Sequence, residues 1–97
     1  MNSYKYETAS ICRSKGWDRA PIEMVWLLFT EEVGELASAI RNYKRMYVKH
    51  QRRKQDIILE MGDVFSYLFQ MAYMLDIDLD QMWKMHMAKM VTKNYYS

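Results

Sequence analysis

Apolar positions in this chain recur every three or four residues, not every second one. Ile22, Val25, Trp26, Phe29, Val33, Leu36, Ala37 and Ile40 form one such series, the spacing of a single helical face. They predict a helix from about Ala20 to Tyr43, whose terminal Arg41, Lys44 and Arg45 suit the negative end of a helix dipole. Before it, a helix is expected from about Ser3 to Ser14, with Gly16 as its stop and Asp18 and Pro21 marking a new start. A third helix, about Arg52 to Leu75, is apolar nearly all round. Its exception is a row at Asp56, Glu60, Asp63, Ser66, Tyr67 and Gln70, which steps of three and four place on one face. Asp76-Ile77-Asp78 ends it, and Asp78-Leu79-Asp80-Gln81 fits a capping box opening a fourth helix to about Lys93. Strict alternation is absent and breakers are few, so the expected fold is all-α: an antiparallel four-helix bundle with short connections.

Length changes this picture little: 97 residues make one domain, 1–97, with one modest core. Composition changes it more. A hydrophobic content of 51%, with 14% aromatic residues and ten methionines, is rich for so small a chain. It implies apolar surface buried against a second copy, hence self-association into a dimer or tetramer; the alternative is a loosely specified, methionine-filled core. The single Cys12 excludes an internal disulfide, and Met1-Asn2-Ser3-Tyr4-Lys5 lacks the apolar stretch of a secretion signal, so a cytoplasmic location is expected. The longest apolar run, Ile57 to Leu75, carries Glu60, Asp63 and Gln70, and therefore reads as a core helix with no membrane role.

The net charge of +2 does not by itself imply nucleic-acid binding, but half of the 14 basic residues fall between Arg41 and Lys54. With only Tyr43 and Tyr47 as aromatic company, Arg41, Lys44, Arg45, Lys49, Arg52, Arg53 and Lys54 read as a solvated helix–helix loop before a nucleic-acid patch.

The candidate chemistry lies where basic residues are missing. Helix-surface Glu is ordinarily matched by Lys or Arg three or four positions away. From Ala20 to Ile40 there is no Lys or Arg, yet Glu23, Glu31, Glu32 and Glu35 are there; from Gln55 to Trp83 there is again none, around Glu60 and Asp63. Asp56, four residues before Glu60, worsens the local field. Glu32 and Glu35 run beside the apolar stripe, so partial burial is expected, and crowded half-buried carboxylates resist ionisation unless a cation arrives. Two helices, each with a carboxylate pair at i, i+3, can offer an oxygen-only site suited to Mg²⁺ or Mn²⁺. Glu32-Val33-Gly34-Glu35 and Glu60-Met61-Gly62-Asp63 both place a glycine before the second acid. A mid-helix glycine costs roughly 1 kcal/mol against alanine, which suggests close helix approach or room beside a metal. A di-iron bundle would need Glu-x-x-His, and neither His50 nor His86 has Glu three positions earlier. His86, among Met82, Trp83 and Met87, reads as a packed or surface residue, and His50 as an exposed one.

With Glu31-Glu32-Val33-Gly34-Glu35 followed by Glu60-Met61-Gly62-Asp63, the chain resembles the all-α nucleotide pyrophosphohydrolase superfamily that includes MazG, dCTP pyrophosphatase and the dimeric dUTPases. The resemblance runs from about Gly16 to Asn94, through Gly16-Trp17-Asp18, Leu36-Ala37, Ala39-Ile40 and Ile77-Asp78-Leu79. It implies hydrolysis of a nucleoside triphosphate between the α and β phosphates, with Glu32, Glu35, Glu60 and Asp63 as magnesium ligands and Glu31 orienting or deprotonating the attacking water. It also implies phosphate contacts near the C-terminus, where the family carries Lys-x-x-x-Asn and a following Arg. Here Lys93-Asn94 is present, Lys89 stands five positions before Asn94, and no arginine follows. Lys84, Lys89, Lys93 and Asn94, or a partner subunit, are then the expected phosphate contacts. Trp17 is the candidate for stacking on a base. The departure in the Lys/Asn segment supports an alternative: a regulatory or nucleotide-binding module that keeps the fold without turnover.

Overall fold

The computed structural model describes residues 1–44 and 53–92. Along them run α1 (Asn2–Lys15), a short 3₁₀ turn (Trp17–Arg19), α2 (Ile22–Tyr43), α3 (Lys54–Met74) and α4 (Leu79–Thr92), with no strand among the described residues. The all-α expectation holds, and each helix lies close to its expected bounds. Residues 45–52, which contain Arg45, Tyr47, Lys49, His50 and Arg52, and the positions Lys93 and Asn94 lie outside the described residues.

Local chemistry sets the helix ends. Gly16 takes a left-handed φ of 76° after α1, and its N–H donates back to the Arg13 carbonyl at 3.2 Å, a conformation that costs glycine nothing. Pro21 is the N-cap of α2, one position before the first helical residue, and its carbonyl accepts from the Met24 and Val25 N–H groups. At the start of α3 the Asp56 carboxylate accepts from the Arg53 N–H at 2.9 Å. Asp56 is thus a cap residue, and its charge meets unsatisfied N–H groups at a helix N-terminus, where the sequence reading had it aggravating the field at Glu60.

The α3–α4 turn is a Schellman motif. Asp76 has φ 53°, the Ile77 N–H donates to the Ala72 carbonyl at 2.8 Å, and the Asp76 N–H donates to the Tyr73 carbonyl at 3.2 Å. The expected cap of α4 is present: Asp78 Oδ1 accepts from the Asp80 and Gln81 N–H groups at 3.0 and 3.1 Å.

α2 packs along α3, and α1 lies against α3. Small side chains make these contacts close: Ala9 and Cys12 on α1, Val25 and Ala39 on α2, and Val64 and Ala72 on α3 are buried. Much of the apolar stripe that predicted α2 is not: Trp26, Val33 and Ile40 remain exposed. α4 is held mainly at its first turn. Leu79 is buried, its N–H donates to Asn2 Oδ1 at 2.8 Å, and Asn2 Nδ2 donates to the carboxylates of Asp78 and Asp80 at 2.9 Å. Beside this link the buried Lys5 donates its Nζ to the Ile77 carbonyl at 2.7 Å. The four expected helices are present, but α1, α2 and α3 form the tight unit. No helix among the described residues is long and apolar enough to cross a membrane.

The hydrogen bonds from Asn2 and from the Gln81 N–H hold the Asp78 carboxyl below its ordinary value of 3.8. Because the folded value is the lower one, this stabilisation is present above the unfolded pKa and is lost as pH falls through the depressed folded value. Asn2→Ala should therefore move the Asp78 titration upward in a carboxyl-carbon NMR experiment and speed amide exchange in the first turn of α4, leaving α2 unchanged. Equal acceleration in α2 would contradict the local character of this link.

Candidate metal centre

The α2–α3 contact brings acids from both helices to one place. One carboxylate oxygen each from Glu32, Glu60 and Asp63 lies within 4.8 Å of the others, Glu32 and Glu60 half-buried and Asp63 exposed. The i, i+3 spacing of Glu60 and Asp63 puts both on the side of α3 that meets α2. Glu31 and Glu35 are exposed on α2 and lie outside this close trio. Their charges still reach it. The Glu32 carboxyl is pushed above its ordinary 4.5, first by burial and then by the charges of Asp63, Glu60, Glu35 and Glu31.

Such a trio fits a hard divalent cation. All its donors are carboxylate oxygens, the class that binds Mg²⁺ and Mn²⁺, and the raised Glu32 pKa reflects burial first and neighbouring negative charge second, both of which a cation would offset. Of the two explanations that the matching glycines suggested, close approach of the helices does not hold. A methyl group at Gly34 or Gly62 would meet nothing within 4 Å, so neither glycine is needed for close approach of the helices in this chain.

Next to the carboxylates is a cavity of about 270 Å³, lined by Glu32 and Asp63 together with Trp17, Ser66, Tyr67 and Gln70, and closed from α1 by Thr8, Ile11 and Cys12. A smaller hollow of about 190 Å³ continues from it between Trp17, Tyr67 and Gln70 and the apolar Val25 and Leu28. Gln70 is buried, and its amide N–H₂ meets the Trp17 carbonyl at 3.4 Å, a long bond that leaves the amide poorly satisfied by that contact. The Tyr67 hydroxyl is pushed up by burial and by the nearby charges of Glu32, Asp63 and Glu31, so it stays a neutral donor at physiological pH. Burial, and then Asp18, likewise raise the Cys12 thiol. A larger cleft of about 540 Å³ shares Cys12 and Gln70 with this cavity and carries Lys5, Arg13, Asp18 and Asp76.

Residues 21–95 match the MazG family, described as the MazG nucleotide pyrophosphohydrolase domain. The chain belongs to the MazG family. The match includes both acidic pairs, whereas Thr8, Ile11, Cys12 and Trp17 of the cavity wall precede it. A similar protein is YvdC of Bacillus subtilis (strain 168), described as uncharacterised, 36% identical over 87 residues and covered over 81% of each chain. No solved structure matches the chain. MazG-family membership carries nucleotide pyrophosphohydrolase activity as its general expectation.

Of the residues singled out from the sequence, Glu32, Glu60 and Asp63 come together, and Glu31 and Glu35 sit within electrostatic reach of Glu32. Trp17 lines the adjoining cavity while remaining 55% exposed, with the Lys15 Nζ 5.1 Å from its ring centre. Lys84 and Lys89 are on α4 and line neither hollow beside the carboxylates. Ser66, Tyr67 and Gln70 were visible as members of the polar row on α3 but not as cavity residues. The part played by α1 had no signal in the sequence, since Thr8, Ile11 and Cys12 reach the cavity only through the α1–α3 packing.

Because the folded pKa of Glu32 lies above its unfolded value, the ionised carboxylate opposes folding at neutral pH, and this opposition fades as pH falls through the raised pKa. Glu32→Gln should then raise the thermal midpoint of the metal-free protein by a few degrees at pH 7. Added Mg²⁺ should raise the wild-type midpoint and have little effect on the variant. A lower midpoint for the metal-free variant in a scan with chelator would sink the idea that crowded charge strains this site.

Proposed function

We propose that this chain hydrolyses a ribo- or deoxynucleoside triphosphate between its α and β phosphates in a Mg²⁺-dependent reaction, as a nucleotide-pool house-cleaning activity. The observation that carries the reading is the Glu32, Glu60 and Asp63 trio at the edge of a cavity of nucleoside size. In this reading Glu32, Glu60 and Asp63 hold the metal, with Glu35 joining them from the next turn of α2, and Mn²⁺ can substitute. Bound Mg²⁺ masks phosphate charge and lowers the pKa of water.

The chain's own groups divide the remaining work. Glu31, exposed beside the trio, orients a water and accepts its proton as the water oxygen bonds to phosphorus. The α–β anhydride P–O bond breaks, and the products are a nucleoside monophosphate and pyrophosphate. Trp17 offers a face for the base, Tyr67 and Ser66 supply neutral hydroxyls, and the Gln70 amide supplies a donor and an acceptor. Lys89, with Lys93 and Asn94 of the C-terminal segment, is assigned to the phosphates, reached within the subunit or from a second one. The location in keeping with this activity is the cytoplasm.

The altered spacing of Lys89 and Asn94 favours one second reading, a MazG-fold module that binds nucleotide with little or no turnover. A panel of ribo-, deoxy- and damaged nucleoside triphosphates with Mg²⁺ and pyrophosphate detection separates the two. Turnover of at least one member is expected. Glu35→Gln and Asp63→Asn should each lower it by about 100-fold or more, since even the outer partners of metal ligands typically contribute 10–100-fold. Tight calorimetric binding without pyrophosphate release would select the binding module, and neither binding nor release would overturn both readings.

A further inference from the structure

Gln70 is a buried amide with little to bond. It keeps 7% of its surface exposed, and among the described residues its only hydrogen bond is the 3.4 Å contact from Nε2 to the Trp17 carbonyl. The carbonyl Oε1 and the second Nε2 hydrogen are left over, an acceptor and a donor side by side at the end of one planar group. Buried polar groups are otherwise nearly always paired, and an unpaired one opposes folding.

The position of Gln70 gives this pair a use. It lines both the cavity that contains Glu32 and Asp63 and the smaller hollow with Val25 and Leu28. Asp63, Tyr67 and Gln70 follow in steps of four and three on one face of α3. Seven residues at 1.5 Å each set Gln70 about 10 Å along the helix from Asp63. A nucleotide laid along that face has its phosphates at the carboxylates, its sugar beside Tyr67 and its base between Trp17 and the apolar Val25 and Leu28. The edge of the base farthest from the phosphates then meets Gln70.

Resting on the nucleotide reading given above, we propose that Gln70 determines which bases this chain accepts, by hydrogen-bonding the pairing edge. Its substrates are then nucleotides whose pairing edge is intact, and bases alkylated on that edge are excluded. In cytosine, uracil, adenine and guanine alike, a ring nitrogen and an exocyclic group on this edge make an adjacent donor and acceptor, which a side-chain amide can meet with two parallel bonds. A methyl group on the ring nitrogen takes one of those positions away and leaves the amide unpaired in the complex. A site built around such bonds rejects a ligand that lacks them more sharply than an apolar pocket does. A bond that only fastened the Trp17 turn to α3 would be indifferent to the base.

Calorimetry on the full chain with Mg²⁺ and α,β-imido nucleoside triphosphates, which block cleavage, tests this. The base bound most tightly is compared with its N3-methyl derivative if a pyrimidine, or its N1-methyl derivative if a purine, and both with inorganic tripolyphosphate. Wild type should bind the methylated nucleotide about 100-fold more weakly than the unmodified one. Gln70→Ala and Gln70→Leu should each lower affinity for the unmodified nucleotide by about 10-fold or more, and Gln70→Ala should shrink the discrimination to about threefold. Affinity for tripolyphosphate should not change. In wild type, the Gln70 side-chain N–H₂ resonances should shift with nucleotide and stay in place with tripolyphosphate, a comparison that needs no variant. Equal wild-type affinity for methylated and unmodified nucleotide, or a loss in the variants shared equally by tripolyphosphate, would overturn the proposal and leave the nucleotide reading standing. A wild type that binds no nucleotide at all would remove both.

Discussion

Two opposed forces meet along the α2–α3 contact, and the remainder of the structure is arranged around their balance. Small buried side chains, Val25 and Ala39 on one helix and Val64 on the other, let the two backbones come close. The same approach brings Glu32 up to Glu60 and Asp63, so that apolar burial draws the helices together where like charge pushes them apart. A divalent cation would resolve this conflict without altering the packing. The electrostatic strain and the fit for metal are thus two aspects of one helix pair.

What could be read from the sequence was what depends on near neighbours. Helices showed in their apolar period, and their ends in local chemistry such as Gly16 and Asp78, because a cap is decided within a few residues. The acidic row was legible for the same reason: i, i+3 spacing fixes a face whatever surrounds it. Matters decided by distant contact were not legible. Glu35 shares a face with Glu32 but stands outside the closest trio, which depends on where along α2 the helices meet. The contribution of α1 to the cavity, the capping role of Asp56 and the open space around Gly34 and Gly62 each required a neighbour that no periodicity identifies. The apolar richness of the chain was visible at once, but how little of it the chain buries for itself was not.

α3 is the element on which these features converge. One side supplies carboxylates, a hydroxyl and an amide to a polar cavity; the other supplies an apolar ridge. Such a helix has little freedom to rotate, since turning about its axis would drive acids into an apolar surface and leave the cavity without its carboxylates. The cap at Asp56 and the Schellman turn at Asp76 pin both of its ends.

Gln70 and Cys12 line both the cavity beside the carboxylates and the larger cleft with Lys5, Arg13, Asp18 and Asp76. A change of side-chain size at either position would alter both hollows at once, without moving a helix. The size of molecule that this backbone admits is therefore adjustable at two positions outside both acidic motifs, and chains with the same acids are free to differ in what they accommodate.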